Sequence, residues 1–75
     1  MNNQEYQTVK TAVEAGHPIS KTQYDALAAL NQQYVKHIKA CTRKNDIAQA
    51  MYFRNEQMEI QGVLSAATIH KGELP

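Results

Sequence analysis

The order of apolar and polar positions along the chain predicts three helices and no strand. Tyr6, Val9 and Val13 recur at helical spacing, with Ala12 beside them, and predict a first helix over residues 3–15. Gly16 can close it in the left-handed conformation, and Pro18 prevents its continuation. Over residues 21–43, Tyr24, Leu27, Asn31, Tyr34, Ile38 and Cys41 follow a 3-4 spacing, widened by Leu30 and Val35. Ser20-Lys21-Thr22-Gln23 at the start of this second helix reads as a capping box, with Ile19 and Tyr24 at the two positions of a hydrophobic staple. A third helix is expected over residues 47–70. No run alternates with a period of two, so the expected class is all-α.

A turn near Lys44 decides the architecture, because from Ile19 to Lys71 the chain holds no Pro and a single Gly, Gly62. Asn45 tolerates the left-handed conformation that ends a helix, and Asp46-Ile47-Ala48-Gln49 can act as a second, weaker capping box. Charge agrees. Lys36, Lys39, Arg43 and Lys44 would lie at the negative carboxyl end of one helix, and Asp46 at the positive amino end of the next. These signals favour an antiparallel hairpin over one continuous helix of about 50 residues, roughly 75 Å long at 1.5 Å per residue. The whole is read as a single small domain, 1–75. A short N-terminal helix precedes the hairpin, two copies are expected to dimerise into a helical bundle, and residues 72–75 are expected to form a flexible tail.

The third helix distributes its apolar groups differently from the second. At about 100° per residue, Phe53, Ile60, Leu64 and Ala67 fall on one line, and Ile47, Met51, Met58 and Ile69 on another nearly opposite. One neighbour cannot cover both. The second line, with Tyr52, is therefore expected to meet the first helix, a second copy or a different protein; the alternative is ordinary exposed apolar surface. Asn31 interrupts the seam of the second helix, where it either faces the neighbourhood of Gln57 or Met58 and fixes register, or is rotated into water. Gly62 either allows close approach to Ala28 and Ala29 or is merely tolerated, at about 1 kcal/mol against Ala.

Composition sharpens this picture. Leu, Ile, Val and Phe supply 14 of 75 residues while Ala alone supplies ten, so the large-residue core is thin. A chain of this size draws roughly 3–5 kcal/mol from one core and usually adds a disulfide, a metal or a second copy. Its single cysteine excludes an internal disulfide. Eight basic against seven acidic residues exclude both a strongly basic, histone-like binder and an acidic nucleic-acid mimic. No apolar run is long enough for a membrane span and the amino end lacks the pattern of a signal peptide, so a cytoplasmic setting with no membrane partner is expected.

Residues that carry chemistry are scarce. No phosphate-cradling glycine loop, paired-cysteine motif, zinc-protease helix or Gly-flanked nucleophilic Ser occurs. His37 and Cys41, four apart, share a helical face, but zinc needs three or four ligands and His17 and His70 lie at segment ends. Neither a metal, a cofactor nor catalysis by a Cys41–His37 pair is expected, because nothing supplies an oxyanion hole. One charge asymmetry stands out: no acid occurs between Asp25 and Asp46, an interval holding Lys36, His37, Lys39, Arg43 and Lys44.

The expected function is that of a non-enzymatic protein-interaction module, a small adaptor, inhibitor or regulator of the kind that phages and mobile elements carry as accessories. It would act through Ile47, Met51, Tyr52, Met58 and Ile69 and bind another protein, with a homodimer expected. The alternative is an RNA- or DNA-binding protein that uses Lys36, Lys39, Arg43 and Lys44 on phosphates.

Overall fold

Asn2, Ser20 and Asp46 each present a side-chain oxygen to a main-chain N–H three residues on, and these caps set where the helices begin. The distances are 2.8 Å from Glu5 N to Asn2 Oδ1, 3.0 Å from Gln23 N to Ser20 Oγ and 3.2 Å from Gln49 N to Asp46 Oδ1. Helix α1 runs Asn3–Glu14, α2 Lys21–Arg43 and α3 Ile47–Ala66, with a 3-10 turn at Lys71–Glu73, in a computed structural model that describes residues 1–73. No strand occurs among them, so the chain is all-α. At Ser20 the capping box is complete, since Gln23 Oε1 also accepts from Ser20 N at 2.9 Å.

The first two helices end by the same device. Gly16 (φ 78°) and Asn45 (φ 59°) take the left-handed conformation. His17 N then donates to Ala12 O at 2.9 Å and Gly16 N to Val13 O at 3.0 Å; Asp46 N donates to Cys41 O at 2.9 Å and Asn45 N to Thr42 O at 3.0 Å. Each pair is a Schellman motif, which satisfies carbonyls that a helix end leaves over. Asn45 thus reverses the chain without Gly or Pro, and α2 and α3 pack as an antiparallel hairpin.

The third helix is shorter than the sequence suggests. It stops at Ala66 rather than near residue 70, and Ala67 is already extended (φ −72°, ψ 141°). Ile19 lies outside α2, and its main-chain groups would otherwise lack helical partners. Ile19 N donates to Thr68 O at 2.8 Å and His70 N to Ile19 O at 3.0 Å, making an isolated parallel bridge between Ile19 and Ile69. The β-branched Thr68 and Ile69 suit that extended course. Of the expected tail, residues 72 and 73 belong to the 3-10 turn, and 74 and 75 lie outside the described residues.

The core joins α1 to the half of the hairpin away from the turn. Tyr6, Val9 and Val13 of α1 pack with Ile19, Leu27, Ile60 and Val63, and Met1, Tyr24, Leu30, Tyr34 and Leu64 border them. Val63, on neither expected apolar line, is buried because α1 docks on that flank of α3. No residue from 35 to 59 is fully buried, so the turn end projects as a bare helix pair along a 45 Å long axis. Asn31 is the buried polar residue of the seam. Gln57 Nε2 donates to its Oδ1 at 3.0 Å, and its Nδ2 donates to Gln61 Oε1 at 3.4 Å. The close-approach role for Gly62 does not hold: it is exposed, and a Cβ there would meet nothing within 4 Å.

Candidate functional site

Helical phase and the docking of α1 together decide which face of α3 is left uncovered. Ile60 and Val63 turn inward, and the face opposite them stays in solvent. Ile47, Met51 and Met58 lie on that outer face within about 40° of one another, and they are 55%, 61% and 60% exposed. The first helix, one of three expected coverings for this line, does not reach it. Tyr52 is 59% exposed, yet it sits about 100° round the helix from Met51, with its ring edge-on to Phe53 at 5.5 Å. Ile69 leaves the expected line altogether, since it follows the end of α3, is half-buried and bridges to Ile19.

The cations of the turn end form a second feature. Lys36, Lys39 and Arg43 project from the outer face of α2 within about 60° of one another, while Lys44 caps the helix; all four are exposed. None has an ion pair among the described residues. Lys10, in contrast, bridges Glu14 at 3.9 Å and also binds Glu59, and Lys21 bridges Asp25 at 2.9 Å. Residues 26–45 carry four cations and no acid, which leaves four cations against all seven acids in the rest of the chain. The near-neutral total therefore conceals a positive end and a negative body.

Between these features lies an aromatic cluster in which His37 joins Tyr34 and Phe53, the two members that the periodicity had placed on the apolar seams. The His37 ring stacks on Phe53 at 5.2 Å and 23°, and Tyr34 meets Phe53 edge-on at 5.9 Å. With His37 so engaged and Cys41 half-buried, no group of three or more His, Cys, Asp or Glu among the described residues is placed to hold a metal ion. Among the described residues, no helix is long and apolar enough to cross a membrane.

Comparison with known protein families, curated proteins and solved structures gives no match to this chain.

Proposed function

We propose that this chain is a non-enzymatic helical interaction module, a small cytoplasmic adaptor, inhibitor or regulator, whose contact surface is the outer stripe of α3 and whose first partner is a second copy of itself. The observation that carries the reading is the exposure of Ile47, Met51 and Met58, each more than half accessible on one line of one helix. Scattered exposed apolar groups are ordinary, whereas several large ones along a single helical line mark a contact surface. Methionine suits it, being flexible enough to fill an irregular partner surface.

A second copy fits for two reasons. Among the described residues the core contains seven buried apolar ones, a thin base for an independent domain of this size, and a paired copy is one usual remedy. The stripe is also compatible with itself. An antiparallel pairing centred between Arg54 and Asn55 would set Met51 against the copy's Met58 and Ile47 against the copy's Gly62, whose missing Cβ leaves room. Arg54 lies toward the edge of the stripe, where its long stem can lift the charge into water.

The unpaired cations on α2 favour one other reading, a phosphate-binding tip for RNA or DNA. Titration of labelled RNA and DNA at two salt concentrations, with light scattering of the same samples, separates the two. Interaction through α3 predicts self-association that persists as salt rises and little nucleic-acid affinity at either concentration. A phosphate-driven contact instead predicts affinity that collapses with salt and disappears when Lys36, Lys39 and Arg43 are changed together to Gln.

A further inference from the structure

Between α1 and α3, on the flank of the outer stripe, the surface opens into a groove of about 390 Å³. Val13 and Val63, each 7% exposed, line it together with Gly62 and Ala66. Its rim carries two acids, Glu14 and Glu59, against one cation, Lys10, which bridges both.

The packing within one chain does not account for Gly62. Glycine weakens a helix interior relative to alanine, yet Gly62 stands inside α3, and a Cβ there would meet nothing within 4 Å. Alanine would suit the isolated chain at least as well. The missing side chain does, however, leave the groove open toward the outer stripe. Gly62 lies about 40° round α3 from Met58, and Ala66 about 40° beyond Gly62.

The turn end of the hairpin complements this groove. Ile47 is 55% exposed at the start of α3, and the antiparallel pairing that sets Met51 against the copy's Met58 brings Ile47 level with the copy's Gly62. A crossing of about −50°, the commonest between packed helices, carries Ile47 from there toward the α1 side, over the groove. Charge agrees with that approach. The same register brings Lys44, exposed and without an ion pair among the described residues, level with Ser65 of the copy. The incoming turn holds Arg43 and Lys44 against Asp46, whose carboxylate caps α3. It meets the two acids of the rim, of which Glu14 has a side chain 64% exposed.

We propose that this groove receives Ile47 of a second copy, so that α1 and α3 together, rather than α3 alone, form the contact surface of the dimer. The proposal rests on the self-association read from the outer stripe, and it fixes the register of that pairing. Two-fold symmetry repeats the contact at the far end, so each copy gives one Ile47 and takes one. The buried isoleucine holds the copies together, while the exposed charges of turn and rim orient them.

The test is nuclear magnetic resonance on a mixture of carbon-13-labelled and unlabelled chains, at concentrations where sedimentation velocity shows dimer. Filtered Overhauser contacts are expected between the Ile47 methyls of one copy and the Val13 and Val63 methyls of the other. Gly62→Leu, which fills the groove mouth and favours helix, should weaken dimerisation at least about tenfold with helicity intact, the usual scale for overpacking. A dimer whose Ile47 methyls contact only the copy's outer stripe, or one that Gly62→Leu leaves undiminished, would overturn the groove contact and spare the stripe. A wild-type chain that stays monomeric at every concentration would overturn both.

Discussion

Ile19 and Ile69, fifty positions apart in the chain, lie side by side in a parallel bridge, with Ile19 N bonded to Thr68 O and His70 N bonded to Ile19 O. Ile19 is only 2% exposed, so this bridge fastens the chain after α3 onto the link between α1 and α2 beside the core. His70→Pro removes one of the two N–H donors and leaves the Ile19 carbonyl without that partner. It should cost about 1–3 kcal/mol, whereas His70→Ala should be nearly silent. Urea unfolding of both variants checks this, and equal midpoints would show that the bridge contributes nothing.

The hydroxyl of Ser20 is half of a completed capping box, so Ser20→Ala should destabilise the chain by about 1 kcal/mol. A thermal melt followed by circular dichroism reads the loss directly. An unchanged midpoint would mean that the Gln23 side chain alone holds the start of α2.

Asn45 carries the reversal between α2 and α3 at φ 59°. Glycine adopts that conformation without a steric penalty, so Asn45→Gly should preserve stability or raise it slightly. Asn45→Val should lower stability by about 1–2 kcal/mol, the usual penalty of a left-handed L-residue. Chemical denaturation ranks the three proteins. Valine matching asparagine would contradict the turn geometry.

Glu59 ties α3 to Lys10 of α1, and that hydrogen bond lowers its carboxyl pKa in the folded chain. A carboxylate lowered on folding stabilises above its unfolded pKa, about 4.3, and this contribution fades as pH falls through the lower folded value. Glu59→Gln should therefore melt slightly below wild type near neutral pH, with the difference shrinking to nothing in acid. The effect is small because the side chain is 41% exposed. Melts across a pH series test the sign, and a gap that widens in acid would refute it.

The legible parts of the fold were those written locally. The Ser20 box, the Gly16 stop and the left-handed Asn45 each depend on a few adjacent residues, and each appears in the structure. The Asn31–Gln57 contact could be anticipated because a hairpin turning near Asn45 fixes its register. The end of α3 could not, since it depends on main-chain groups of Ile19 far away in sequence. The same holds for the burial of Val63 and for the groove beside Gly62, which exist only because α1 docks on one particular flank of α3. Periodicity revealed the outer stripe Ile47, Met51 and Met58, but by assuming a longer helix it placed Ile69 with them.

Sedimentation velocity of wild type and Met58→Asp, over a series from micromolar to millimolar with circular dichroism alongside, tests the central claim most directly. Met58 is 60% exposed and outside the core, so the substitution should leave helicity intact. In a dimer it would bury a carboxylate among apolar side chains, with Arg54 at the rim its nearest cation, an insertion that typically costs several kcal/mol. The account predicts a wild-type chain that moves from monomer to dimer as concentration rises, and a Met58→Asp chain, equally helical, that remains monomeric about a hundredfold further up the series. A wild-type monomer throughout, or dimers that form equally well with Met58→Asp, would contradict it.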